Sequence, residues 1–241
     1  MDSITVNQNK ENQSNNIERI HWLLSSNKKV KSYVVPLTFK EAVLVIKKET
    51  PKEFFQEVLK SGNKFLYRGE NIDISYNYEN SISKKEMNCA WMSPEPDLLL
   101  QGTYPDDNAL TYFQNLEKYL NAKQISTKEI NIARPSTAHI GTSDIEEASK
   151  WGQSVSIWPC GENFSYCFPQ SRRNFFNGGL NSPSCDQDAF GNGVIINKDL
   201  STALAEKKEV MFSSTDKMGY IFSSYVAIPS KYDDQIRSIL L

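Results

Sequence analysis

Lys64-Phe65-Leu66-Tyr67-Arg68-Gly69-Glu70 reads as a short apolar strand that delivers one arginine and then stops on a glycine. Phe65 and Tyr67 alternate with Leu66 and Arg68, the two-residue period of a strand. A guanidinium at the end of a buried strand keeps its charge, so it requires an anion or a carboxylate beside it. Gly69 carries no Cβ, which would let a flat ligand lie against the backbone. An ordinary strand end with Arg68 ion-paired to a neighbour explains the same residues. The rest of the chain separates the two readings.

The chain has 241 residues, enough to bury a full core. Hydrophobic residues make up 39% and charged residues 23%, the balance of a soluble globular protein. A net charge of −2 and the lack of a basic run give no footprint for a nucleic-acid backbone. The longest aliphatic run, Ala42 to Ile46, is too short to span a bilayer, so no membrane partner is expected. The N-terminus shows no apolar core of a standard secretory signal. Four cysteines without metal-ligand pairing and two histidines, His21 and His139, argue against a zinc site. Reduced thiols are expected, with a Cys160–Cys167 bridge left open.

Residues 1–16 are polar, rich in Asn, Gln and Ser, and are expected to be disordered, leaving 17–241 as a single domain. Ile17 to Leu24 reads as a short helix and Ser32 to Leu37 as a strand. Thr38-Phe39-Lys40-Glu41 has capping-box spacing, and Thr50-Pro51-Lys52-Glu53 repeats it with proline at the first helical position. Phe54, Phe55, Val58 and Leu59 then form one apolar face, with Gly62 as the helix stop. Residues 71–105 read as irregular, with short strands around Ile72–Tyr78. Asp107 to Asn121 reads as a helix with Leu110, Phe113, Leu116 and Leu120 on one face, and Ile130 to Arg134 as a strand.

In His139-Ile140-Gly141-Thr142-Ser143-Asp144-Ile145-Glu146, a strand ends at Thr142 and a helix begins at once. Ser143 and Glu146 have capping-box spacing, and Ala148 and Trp151 give the helix an apolar face. Val155 to Trp158 is the next strand. Residues 161–193 read as a long loop whose interleaved Phe164, Tyr166, Phe168, Arg172, Arg173, Phe175 and Phe176 suit stacking on a planar ring beside phosphates. Anchoring of that loop on the core by its aromatics is the alternative. Val194 to Ile196 reads as a strand, Asp199 to Glu206 as one or two helical turns, and Lys207-Lys208-Glu209-Val210-Met211-Phe212 as a strand opened by Glu209. One or two strands, Tyr220–Phe222 and Tyr225–Ile228, complete the chain.

Leu66-Tyr67-Arg68-Gly69, Gly141-Thr142-Ser143 with Ala148, and Glu209-Val210-Met211-Phe212 stand in a fixed order. That order resembles the Arg–Ser–Glu class of mono-ADP-ribosyltransferases, which includes cholera-toxin-like and clostridial binary-toxin enzymes. There a strand ends in Tyr-Arg-Gly, a Ser-Thr-Ser strand runs into a helix, and a later strand carries Glu-x-Glu or Gln-x-Glu. The resemblance covers roughly residues 50 to 230 and rests on three short motifs taken together.

The resemblance implies an α+β fold of two packed sheets, a split β-sandwich with helices near the N-terminus and NAD in the cleft. It implies transfer of ADP-ribose from NAD to a protein side chain without a metal. Arg68 would bind the NAD phosphate, Gly69 would face the nicotinamide amide, and Thr142 and Ser143 would hold the site together. Glu209 would bond the nicotinamide ribose, with Phe164 and Arg172 as further cofactor contacts. A monomeric bacterial effector or toxin acting on a host protein, secreted without a standard signal peptide, is the implied setting. NAD glycohydrolysis and a non-catalytic binding module are the rivals.

Gly141 replaces the first serine of the family's pattern, and Lys207 stands two residues before the glutamate. A register on Ser136-Thr137-Ala138 restores the serine but moves it away from the helix start. If residues 207–209 are extended, Lys207 shares a face with Glu209 and would repel a guanidinium acceptor. The expected acceptor is therefore not arginine.

Overall fold

The computed structural model describes residues 33–70, 87–93, 98–99, 107–127, 132–175, 193–215 and 224–241. The expected helix at Ile17–Leu24 and strands at Ile72–Tyr78 and Tyr220–Phe222 lie outside them. The chain is α+β, with one antiparallel nine-stranded sheet and six α-helices in the described residues.

Strand β1 (Tyr33–Thr38) leads into α1 (Phe39–Glu49) through a complete capping box. The Thr38 amide donates to Glu41 at 2.9 Å and the Glu41 amide returns to the Thr38 hydroxyl at 3.3 Å. The second box does not form. Helix α2 (Lys52–Lys60) has Pro51 as its N-cap and no side-chain cap bond, because Thr50 is already the C-cap of α1. Phe54 and Val58 are buried, whereas Leu59 is 49% exposed. Gly62 stops α2 as expected, with Asn63 N–H donating back to the Val58 carbonyl.

After β2 (Tyr67–Glu70) comes β3 (Met87–Ser93), inside a stretch expected to be irregular. Cys89, Ala90, Trp91 and Met92 are all buried, so this strand shows neither alternation nor β-branched residues to betray it. Helix α3 (Asp107–Thr127) is longer than expected. The strand expected at Ile130–Arg134 is absent from its described part, although Ile132 and Ala133 are buried. Next come β4 (His139–Thr142), α4 (Ile145–Ser149), β5 (Gln153–Pro159) and β6 (Asn163–Pro169). Strand β6 corrects the long-loop reading of 161–193: Tyr166 and Phe168 face one core and Cys167 another. The chain continues with β7 (Val194–Ile196), α5 (Leu200–Ala205), β8 (Glu209–Thr215) and β9 (Tyr225–Pro229). It ends in a 3-10 turn at Ser230–Tyr232 and helix α6 (Asp233–Leu240), where the sequence reading ended in strands.

The strand order is β1-β3-β9-β5-β2-β4-β8-β6-β7. Strands β9 and β8 are four places apart, ~19 Å in a flat sheet. Yet the rings of Tyr225 on β9 and Phe212 on β8 lie 5.8 Å apart, centroid to centroid. The sheet therefore doubles over. It does so beside β2 and β4, which share a single residue pair, Tyr67 with Thr142. Where two packed sheets were expected, the described residues form one hydrogen-bonded sheet that bends back on itself. Val210 and Phe212 join the core between the halves together with α1, α2, α5 and α6. Met211 and Cys167, on the opposite face, pack beneath α3.

Cys89, Cys160 and Cys167 are buried free thiols, so Cys160 and Cys167 are not bridged. Among the described residues no helix is long and apolar enough to cross a membrane. No group of three His, Cys, Asp or Glu side chains is placed there to hold a metal ion.

Candidate functional site

Arg68 sits on the short strand β2, where the sheet doubles over. Its Nε donates to Glu70 at 2.6 Å and a terminal nitrogen to the Ile140 carbonyl on β4 at 3.0 Å. Glu70 also accepts the Tyr225 hydroxyl. The ion pair is mostly buried, with 19% of the Arg68 side chain and 12% of the Glu70 side chain exposed. Arg68 therefore has a carboxylate beside it, as its charge requires, and that carboxylate is two residues away on the same strand face.

Gly69 owes its identity to packing. A Cβ there would lie 2.4 Å from the Ala148 carbonyl oxygen and 2.7 Å from Trp151, so the end of α4 occupies the space a ligand was expected to use. Gly141 is similar, since its Cβ would meet Leu66 Cγ and the Tyr67 carbonyl at 2.9 Å. The serine of the family pattern has no room at that position. Ser136, the alternative serine, lies before β4 and is bonded to Glu117 on α3 through both its amide and its hydroxyl, each at 2.8 Å.

On the other side of the seam, β4 pairs with β8, and Thr142 stands opposite Glu209. Directly paired residues in an antiparallel ladder project to the same face, so the hydroxyl and the carboxylate are neighbours. The corner after β4 is tied to the turn before β8. The Thr142 hydroxyl reaches the Lys207 carbonyl at 3.4 Å, and the Ser143 hydroxyl donates to the Leu204 carbonyl. Ser143 is thus no helix cap. Asp144 takes that place, accepting the Glu146 amide at 3.2 Å. Asp144 and Glu147 have the same spacing as Ser143 and Glu146, so spacing alone does not separate the two caps.

Glu209 is half-buried. Its amide donates to the Arg173 carbonyl at 2.7 Å, and its Oε2 accepts the Phe175 amide at 2.6 Å. Burial pushes its carboxyl up to about 7; the charge of Glu147 adds to this, while the Phe175 amide and the Arg172 cation oppose it. Arg172 itself donates to the Tyr112 hydroxyl at 3.1 Å and stacks over that ring at 5.4 Å. Arg173 reaches Asp144 at 2.6 Å.

Lys207 does not lie in an extended run with Glu209. Its φ of +57° turns it out of the strand, and its ammonium is 3.5 Å from Asp144. The premise that placed it on the face of Glu209 therefore fails. Phe164 is not brought to the site. It pairs with Ser214, five residues along β8 from Glu209 or about 17 Å, and its ring packs on Phe54 at 5.2 Å. Trp151, expected on the apolar face of α4, is 72% exposed, while Ala148 alone from that expectation is buried.

The structure thus brings Thr142, Ser143, Glu209, Arg172 and the Lys207 backbone together on one side of the seam. Arg68 lies on the other, across β4. Glu70 and Asp144 complete the arrangement with Arg173 and Phe175, and these two, expected to stack on a planar ring or bind phosphates, instead hold Asp144 and the Glu209 carboxylate. The ionised Glu209 carboxylate, with the Thr142 hydroxyl beside it, can stabilise positive charge developing on a bound substrate, and the charge of Arg172 favours that ionised form. Comparison of the chain with protein-family models, with curated proteins and with solved structures finds no match.

Proposed function

We propose that this protein is an NAD-dependent mono-ADP-ribosyltransferase that modifies a protein side chain other than arginine. On this reading the doubled-over sheet is an ADP-ribosyltransferase-like split β-sandwich, and NAD binds at the seam between β2 and β4. One observation carries the reading: Thr142 is the residue at which the seam is bridged, pairing with Tyr67 beside Arg68 and with Glu209 on β8. Three motifs separated by more than sixty residues each in the chain converge on one line across the sheet.

In the reaction, the bond between the nicotinamide nitrogen and ribose C1′ breaks, and its electron pair returns to the nicotinamide ring. Positive charge develops on the ribose, and the Glu209 carboxylate stabilises it electrostatically. An oxygen or nitrogen of the acceptor side chain forms the new bond to C1′ and releases its proton to solvent. Arg68 neutralises the diphosphate, exchanging its bond to Glu70 for a fork to phosphate oxygens. Arg172 near Glu209 disfavours a guanidinium acceptor and suits a neutral or anionic one. The resemblance extends this to a bacterial effector or toxin acting on a host protein.

A second reading, a non-catalytic binding module, is favoured by the partners Arg68 already has in Glu70 and Ile140. Incubation with biotinylated NAD and a cell lysate separates them. Labelled protein supports transfer, free ADP-ribose supports hydrolysis, and neither product supports the binding module.

A further inference from the structure

We propose that Asp144 and Arg173 form a clamp that positions the Glu209 carboxylate, an inference that rests on the role given to Glu209 above. The bend at residues 173–175 holds Glu209 by two bonds. The Glu209 amide donates to the Arg173 carbonyl, and the Phe175 amide donates to Glu209 Oε2. The second bond fixes one carboxylate oxygen and leaves the other to meet a substrate.

Two anchors hold the segment there. At one end the Phe175 side chain is fully buried under α3, 6.5 Å from the Phe113 ring. At the other, Arg173 reaches across to Asp144 at 2.6 Å and its Nε donates to the Lys207 carbonyl at 3.3 Å. Asp144 also receives Lys207 at 3.5 Å, and the two cations hold its carboxyl below the usual range against the opposing pull of desolvation. The Asp144 backbone is fixed in turn, because its amide donates to Thr142 Oγ1 at 3.1 Å. One aspartate therefore registers three things against each other: the corner after β4, the turn before β8, and the segment that bonds Glu209.

A cover that merely closed the site would leave Glu209 fully buried, whereas it is half-buried. The clamp does its work at the rim, where 57% of the Arg173 side chain is exposed. Asp144 and Arg173 are positioning residues, acting through the Phe175 amide.

The test compares the full chain with Asp144→Asn, Arg173→Gln and Asp144→Glu. Asparagine keeps the helix cap and removes only the charge. Nicotinamide release from NAD gives kcat and KM, and hydrogen exchange at the Phe175 amide reports the clamp itself, with thermal melting as a check on folding. The expected result is faster exchange at Phe175 and a fall in kcat of roughly tenfold or more, at unchanged KM, in Asp144→Asn and Arg173→Gln. Asp144→Glu recovers both. Faster exchange with unchanged or raised kcat overturns positioning and leaves the NAD reading standing. Unchanged exchange in both variants overturns the clamp. A wild-type chain that releases no nicotinamide defeats the NAD reading first, and this proposal with it.

Discussion

Thr142 on β4 stands directly opposite Glu209, the first residue of β8. On its other side Thr142 pairs with Tyr67, the one residue pair that joins β2 to β4 among the described residues. The sheet is thinnest where the candidate chemistry is placed.

Glu209→Gln tests the charge. The amide preserves shape and loses the carboxylate, so nicotinamide release is expected to fall on the order of 10²–10³-fold or more. The same variant should be more stable than wild type above pH 7. Burial raises the folded-state value from 4.5 to about 7, so folding favours the protonated acid. That stabilisation is present at low pH and is lost as pH rises from about 4.5 through about 7. Melting at pH 5 and pH 8 checks the sign: the variant gains on wild type only at the higher pH, by on the order of 1–3 kcal/mol.

The pH dependence of wild-type turnover should run the opposite way to stability. On the proposed mechanism only ionised Glu209 stabilises the ribose cation, so kcat/KM, which reports the free protein, rises with pH through an inflection near 7. A flat profile between pH 5.5 and 8.5 would separate Glu209 from the chemistry.

Arg68→Ala should weaken NAD binding and also destabilise the fold, because it leaves Glu70 mostly buried without its cation. A loss of roughly 1–3 kcal/mol is expected from the unmatched carboxylate. Arg68→Lys restores the charge but not the fork, so binding measured by calorimetry recovers only in part. An unchanged dissociation constant in Arg68→Ala would confine Arg68 to its ion pair with Glu70.

Gly141→Ser recreates the serine of the family pattern and is expected to harm the protein. Its Cβ would press on the Tyr67 carbonyl, a backbone atom, at 2.9 Å. Overpacking of this kind costs about 1–3 kcal/mol, read as a lower Tm with no gain in turnover.

Much of this was legible in the sequence where local chemistry dominates. The Thr38–Glu41 box, the Gly62 stop, and strands β5, β7 and β8 follow from capping and periodicity. Strand β3 was not, because a strand buried on both faces carries no alternation. Strand β6 was hidden in a segment whose Asn, Gly and Ser content suggested a loop throughout. The convergence of Arg68, Thr142 and Glu209 could be guessed only from motif order, since the ladder that aligns them joins strands far apart in the chain. The pairing of Asp144 with Arg173 was out of reach, because an ion pair 29 residues apart leaves no local trace. Lys207 misled for a specific reason: a positive φ just before the strand breaks the alternation that strand periodicity assumes.

The most direct test is incubation of the purified full chain with NAD and a cell lysate, beside Glu209→Gln, reading both free nicotinamide and ADP-ribosylated protein. The account predicts nicotinamide release and a labelled protein with the wild type, both lost in Glu209→Gln, and mass spectrometry placing the label on a residue other than arginine. No nicotinamide release from the wild type, or equal release from Glu209→Gln, would contradict it.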